Sequence, residues 1–412
     1  MALAGSPPRC PWPVRCVWQT VESLQKRLLG MRMSERQRPG PGGRLLWLDT
    51  ARGLSILWIA FFHFLISYDN GRYPWPLSLA SFPAFVQECA QSFGRSPAGC
   101  IVEGSVAGLF QRGPHAVGVF LVLSGFGLTF SVAKAGGPKN GWARWYRRRF
   151  LRLFPLYWAA HLVYLFSPFV RRPDPVDYRF ILSFLGDRIF PVETVFYYAN
   201  PAWWFFGLLL ELCLVFPLLF RLLQKAGPFR FLALSGLATI LSRYLLVEVI
   251  HAHGNYVQGA FFGARLFEFA AGMVLAVLYR RSPAQVESRL FSWPFLGVGI
   301  VGYVLGVACY RPGFALTLSD GLTGVGLCIV LVHVSRWVNC LPALRSALPY
   351  VGAYSYGIYL LHQPYVMAAG ERLKGFSMPV SVTAVLGILV LIVAGASWIE
   401  RSLDRLIGRL GL

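Results

Sequence analysis

Of 412 residues, 56% are hydrophobic and only 14% are charged, against roughly a quarter charged in soluble domains. That balance excludes a water-soluble globular enzyme. With apolar runs of about 20 residues recurring along the chain, it predicts an all-α polytopic membrane protein, a single bundle of about ten transmembrane helices. The formal net charge of +21 follows from basic loops at one membrane face and requires no nucleic-acid partner.

In chain order, residues 1–43 come first. They are rich in Pro and Arg, contain Cys10 and Cys16, and read as a disordered or wrongly assigned N-terminal extension; Met31 or Met33 offers a shorter start. The run is neither apolar enough nor correctly ordered for a cleaved signal peptide. Spans are predicted near 45–67, 113–133, 153–170, 202–221, 230–250, 261–279, 294–310, 316–335, 349–369 and 380–400, with long connections over 69–112 and 171–200. Residues 44–401 thus form the transmembrane domain, and 402–412 a short cytoplasmic amphipathic tail.

With the N-terminus inside, the inner loops hold 18 Lys and Arg against 10 in the outer loops. Cytoplasmic loops carry such an excess. The expectation is therefore a multi-pass protein of the inner or plasma membrane with both termini cytoplasmic. Cys213, Cys309 and Cys328 fall in spans and read as small hydrophobes. Cys89 and Cys100 share one outer loop and would pair if that side is oxidising; the sequence leaves them paired or free. No CxxC pair occurs, and no metal site is expected.

Ionisable groups inside apolar segments carry the functional signal, because they are costly there and usually face a partner or a polar cavity. The first span contains TARGLSILWIAFFH, residues 50–63. Arg52 and His63 are separated by about 1100° of helix, within about 20° of three full turns, so they share one face, roughly 16 Å apart along the axis. Asp49 stands one turn before Arg52. For Arg52 alone, snorkelling to headgroups is an equally ordinary reading; His63, near the middle of the bilayer, is harder to dismiss.

The loop RWYRRRFLR comes next, with Arg144, Arg147, Arg148, Arg149 and Arg152 around Trp145 and Tyr146. Guanidinium forks suit phosphate oxygens, and plain positive-inside anchoring is the alternative. Further along, Trp204 and Glu211 are seven apart and nearly coincident on one face, with Glu211 also placed to pair with a basic neighbour. Arg265 and Glu268, one turn apart, read as a local pair. Ser355, Tyr359 and His362 line one face, with Pro364 ending or kinking that helix. Glu400 and Arg401 read as interfacial anchors.

Together these segments resemble the acyltransferase 3 family of integral membrane acyltransferases. Leu48, Asp49, Arg52 and Gly53 open an LDxxRG pattern that continues as Arg-x10-His to His63. FLVLSGF at 120–126, RRFLRLFPLYW at 148–158, AWWFFGLLLELCLVFPLL at 202–219, RLFEFAAGMVLA at 265–276, SYGIYLLHQP at 355–364 and IER at 399–401 follow in order. The resemblance spans about 45–401 and implies transfer of an acyl group, commonly acetyl, from cytosolic acyl-CoA to a hydroxyl of a cell-envelope polysaccharide or lipid-linked sugar. It also implies that the pair matching Arg149 and Arg152 is functional. Many members carry a further extracytoplasmic hydrolase-like domain; the chain ends at Leu412 without one, so the acceptor stays open.

The expected division of labour follows from residue chemistry. An acceptor hydroxyl must lose a proton as it attacks the thioester, which suits an imidazole, so His63 is the expected general base. Arg52, oriented by Asp49, would hold the donor or stabilise charge. Glu211 would orient an imidazolium or bind acceptor hydroxyls, and Arg147, Arg148, Arg149 and Arg152 would bind the phosphates of coenzyme A. A covalent acyl-histidine remains an open route. The partners expected are acyl-CoA, a saccharide acceptor and membrane lipid, without nucleic acid. The rival class is a glycolipid or polysaccharide-precursor transporter or flippase, since such groups also mark transport pathways.

Overall fold

The computed structural model describes residues 45–93, 96–133, 137–138, 140–170, 175–188, 195–252, 261–311 and 313–410. The proposed extension 1–43, with Cys10 and Cys16, lies outside the described residues, as do Arg95, Lys134, Lys139, Arg171 and Arg172 of the loop-charge tally. Among the described residues every regular element is a helix.

Nine of the ten predicted segments each overlap one α-helix and the segment 349–369 overlaps two, and the described residues hold further helices between them. In chain order they are α1 (Leu46–Tyr68), then α2 (Phe82–Phe93) and α3 (Pro97–Gln111) in the first long connection, α4 (Ala116–Val132), α5 (Gly141–Phe166), the short α6 (Tyr178–Leu185), α7 (Trp204–Ala226), α8 (Pro228–Tyr244) and α9 (Leu266–Arg281). They continue with α10 (Pro283–Leu290), α11 (Trp293–Ala308), α12 (Leu316–Val338), α13 (Pro342–Ala353), α14 (Ser355–Leu373) and α15 (Met378–Arg409).

Among the described residues, by length and apolarity alone, seven helices suffice to cross a membrane, or up to eight if the pair α10 and α11, bent by 62°, forms one span. The chain is thus an all-α polytopic membrane protein. α5 and α14 fall below the apolarity this requires, and for a shared reason. α5 begins with the arginine cluster, and α14 carries His362, Gln363 and two acidic or basic residues near its end. Of these polar residues, Arg149, Arg152 and His362 line the internal cavity described below.

Three boundaries differ from expectation. The stretch RWYRRRFLR is not a loop: α5 starts at Gly141 and includes all of it. Arg is a good helix former, and the first proline of the segment is Pro155, so nothing interrupts the helix before the membrane. The span expected over 349–369 breaks at Tyr354, between α13 and α14. Pro364 does not end its helix, which continues to Leu373. A proline inside a helix leaves the carbonyl four residues earlier without its usual donor. Here that carbonyl, of Leu360, accepts from Asn200 Nδ2 at 3.2 Å and Trp203 Nε1 at 2.9 Å. The vacated bond becomes a dock between α14 and the start of α7.

α1 is central, packing on α4, α12, α13 and α14. Its approach to α13 is close because glycine meets backbone: a Cβ on Gly352 would sit 1.8 Å from the Asp49 carbonyl oxygen, and one on Gly53 2.3 Å from that of Leu348. Small residues at a crossing let membrane helices pack by van der Waals contact where lipid supplies no hydrophobic drive. This crossing fixes α13, and α14 after it, beside the Arg52–His63 face. Outward, Leu237, Val301, Val390, Leu391 and Trp398 are exposed, as a lipid-facing surface requires.

Beyond α1, the described residues of the connection 69–112 include the helices α2 and α3. α3 runs through a short turn into α4, so helix extends from Pro97 to Val132, 36 residues, well beyond the roughly 20 that cross a bilayer. Cys89 on α2 and Cys100 on α3 are joined by a disulfide.

Candidate active site

A cavity of about 380 Å³ lies within the bundle, walled by α1, α4, α5, α7, α13, α14 and Glu400 of α15. Arg52 and His63 both line it. The cavity therefore follows α1 over 11 residues, roughly 16 Å. Ile56 and Ile59 lie between Arg52 and His63 on that face and line the cavity too, while Ala60 and Phe64 of the same helix are buried away from it.

At the Arg52 end the site is cationic. Arg52 Nη1 donates to Asp49 Oδ1 at 3.4 Å, and Nη2 to the Leu123 carbonyl at 3.2 Å. Asp49 is buried behind it and does not line the cavity, so its place is that of a positioning group. Gly127 on α4 leaves room for the guanidinium, since a Cβ there would stand 3.3 Å from Nη2. Arg149 and Arg152, one turn apart on α5, line the cavity as well. Arg149 also lies over the Trp145 ring, 5.5 Å from its centroid. Arg147 and Arg148 point elsewhere: both are exposed and neither lines the cavity. On a helix, positions one and two residues before Arg149 are rotated by about 100° and 200°. A loop would have left all four free to converge; the helix selects two.

Glu400 lines the same region, instead of anchoring at the interface, while Arg401 beside it donates to Tyr354 and Tyr350 hydroxyls at 2.8 and 2.6 Å. The expectation treats the two alike; the rotation of about 100° between neighbours on α15 separates them.

At the other end two imidazoles meet. His63 and His362 have ring centroids 5.2 Å apart. His63 Nδ1 lies 3.3 Å from Gln363 Nε2, and His362 Nδ1 lies 2.9 Å from the Tyr359 carbonyl and 3.1 Å from that of Ile358. Ser355 and Tyr359, on the same face of α14, also line the cavity. Tyr359 Oη donates to the Ala202 carbonyl at 2.6 Å and accepts from Phe206 N at 3.0 Å, which ties the α14 face to the start of α7. Trp204 completes this wall.

Glu211 does not line the cavity. The cavity face of α7 is formed by Phe205, Leu209 and Cys213, and Glu211 is rotated by about 160–200° from the last two. Its Oε2 accepts from Phe262 N at 2.8 Å, where it caps the turn that leads into α9. The coincidence of Glu211 with Trp204 on the helix wheel is real; the large Trp204 ring reaches the cavity from the edge of that face, and a carboxylate does not.

Arg265 and Glu268 form the local pair expected, Nε to Oε1 at 2.7 Å, and away from the cavity. The pair belongs to a larger network. Asp320 on α12 lies 3.4 Å from Arg265 and binds Arg243 of α8 and the Tyr310 hydroxyl. Gln363, Asn200, Asp320 and the inward direction of Glu400 were not singled out from the sequence. A usable signal existed for the first two: a glutamine inside a span, followed by a proline that frees a carbonyl.

Among the described residues no group of three or more His, Cys, Asp or Glu side chains is placed to hold a metal ion. The site therefore offers three guanidiniums and a carboxylate at one end, two imidazoles at the other, and an elongated passage between. It suits an anionic, extended ligand with its reactive end beside the imidazoles. In comparisons with known proteins, the acyltransferase 3 family model, described as an acyltransferase domain, matches residues 45–401. No curated protein and no solved structure matches the chain.

Proposed function

The chain belongs to this acyltransferase family, and from that premise we propose that it moves an acyl group, acetyl in the simplest case, from acyl-CoA to a hydroxyl of an envelope polysaccharide or lipid-linked sugar. The observation that carries the reading is the joining of Arg52, Arg149 and Arg152 to the His63–His362 pair by one cavity. Coenzyme A is an extended molecule with its phosphates far from its thioester. Guanidinium groups hold phosphate oxygens with charge-assisted bonds, and the pantetheine arm would run along the Arg52 face of α1 toward the imidazoles. An imidazole there removes the proton of the attacking hydroxyl.

In this reading the basic loops and the α5 arginines face the cytosol, both termini are cytoplasmic, the membrane is the plasma membrane, and Arg147 and Arg148 add to the positive approach without touching the donor. A transporter has no use for a thioester. The test is accordingly direct: purified protein in lipid nanodiscs is given acetyl-CoA and free thiol is followed, while mass spectrometry compares envelope glycans with and without the gene. Thiol release and a missing acetyl ester are expected. Absence of both sinks the proposal.

A further inference from the structure

The two imidazoles of the cavity are held by different hydrogen bonds, and the bonds determine which nitrogen of each carries the proton. Gln363 settles His63. Its Oε1 accepts from Ala202 N at 2.5 Å, which orients the amide. Its Nε2, a group that only donates, therefore faces His63 Nδ1 at 3.3 Å. A neutral imidazole has one donor and one acceptor nitrogen. With Nδ1 accepting, His63 bears its hydrogen on Nε2. His362 is the reverse. Its Nδ1 faces two backbone carbonyls, which only accept, so the hydrogen is on Nδ1. The lone pair is on Nε2, an atom buried from solvent with no hydrogen-bond partner among the described residues. Buried polar atoms are seldom left so.

Resting on the acyltransferase reading, we propose that the two rings have opposite tasks: His362 Nε2 takes the proton of the acceptor hydroxyl, and His63 Nε2–H donates to the thioester carbonyl oxygen. Gln363 is the positioning residue that makes His63 a donor. The hydroxyl oxygen forms the new C–O bond as its proton passes to His362. The carbonyl electron pair moves onto the oxygen held by His63. When the tetrahedral adduct collapses the C–S bond breaks, and the proton on His362 leaves with the thiolate as free thiol. Ester and coenzyme A are the products, and both rings return to their starting forms. Ring centroids 5.2 Å apart let one tetrahedral carbon present its two oxygens to both. This exchanges the role expected of His63 from its place in the first span, where nothing in the local sequence reveals its partner 300 residues away. The device also depends on Pro364: the Leu360 carbonyl it frees holds Asn200 and Trp203, and thereby keeps Ala202 N within reach of Gln363.

The test exploits a change of sign. Gln363→Glu keeps the size of the side chain and an acceptor for Ala202 N, but presents an oxygen to His63 Nδ1 where an N–H stood. That draws the hydrogen to Nδ1 and leaves Nε2 unable to donate. Transfer of radiolabelled acetyl from acetyl-CoA by native membrane vesicles should fall by about 10²-fold or more in kcat, as for loss of an oxyanion donor, with KM for acetyl-CoA within about twofold. If His63 were the base, a carboxylate behind it would sustain or raise kcat, and that result overturns the proposal. A second pair stands independently should Gln363→Glu fail to insert. Glutamine can donate but cannot act as a base, so His63→Gln should retain transfer within about tenfold while His362→Gln loses about 10²–10⁴. The opposite order, or equal losses, overturns the division. Unmutated protein that releases no thiol from acetyl-CoA would instead defeat the acyltransferase reading, a failure visible before any variant is made.

Discussion

Two clusters of ionisable side chains lie inside this bundle, and they are built differently. In the network of Arg243, Arg265, Glu268 and Asp320, two cations face two anions on α8, the α9 entry and α12, with the Tyr310 hydroxyl bound to the same Asp320. All four are buried, and none lines the cavity. In the cavity, three guanidiniums are accompanied by Glu400 and by Asp49 behind Arg52, and one imidazole faces a side-chain amide N–H while the other donates to backbone carbonyls. Intramembrane charge alone thus does not distinguish scaffold from chemistry. Charges balanced by one another hold helices together; charges turned toward shared space are available to a ligand.

The sharpest way to break this comparison is at the imidazoles. His362→Ala should lower acetyl transfer by about 10²–10⁴ and His63→Ala by about 10²–10³, both leaving a correctly inserted protein that binds acetyl-CoA. Loss of donor binding in either variant would move that histidine from chemistry to structure. The network should respond in the other currency. Asp320→Ala leaves two buried guanidiniums with a single anion, a change of about 3–5 kcal/mol for a broken buried pair. The readout is thermal stability in detergent, and an unchanged melting profile would show that the network is dispensable.

A smaller effect is expected at the donor end. Arg149→Ala with Arg152→Ala should weaken acetyl-CoA binding by about 1.5–3 kcal/mol, roughly tenfold to a hundredfold, as charged hydrogen bonds are lost, whereas Arg147→Ala with Arg148→Ala should change it little. Equal losses in the two double variants, measured by calorimetry, would return the whole cluster to membrane topology. The smallest effect belongs to Glu211. Glu211→Gln retains an acceptor for Phe262 N, so both transfer rate and donor affinity should stay within about twofold, and stability should shift by no more than the ~1 kcal/mol typical of one hydrogen bond. A large loss of turnover there would place the carboxylate back in the mechanism.

How far the site was legible depends on whether a residue's partners are local. Arg52, His63 and Asp49 were legible because one helix carries all three and its 3.6-residue period fixes their relative directions. Arg265 with Glu268 was legible for the same reason. Ser355, Tyr359 and His362 could be placed on one face, and α14 does present that face to the cavity. For Glu211 the wheel gives the angle between two side chains on α7 but not which side of α7 meets the cavity, and the structure turns Glu211 away from it. The arginine cluster was read as a loop because its charge pointed away from a span, although a helix can extend past the membrane edge without conflict.

Membrane class, most of the helical segments and the family pattern are written in the local sequence, since each rests on composition and short-range periodicity that every window carries. Which faces meet is set by the packing of the folded bundle. It closed Gly53 against Gly352 to set α13 and α14 beside α1, turned Arg149 and Arg152 inward and Arg147 and Arg148 out, and bonded His63 to Gln363. Those choices are made by contacts between residues hundreds of positions apart, where packing of whole helix surfaces outweighs anything a local stretch can specify.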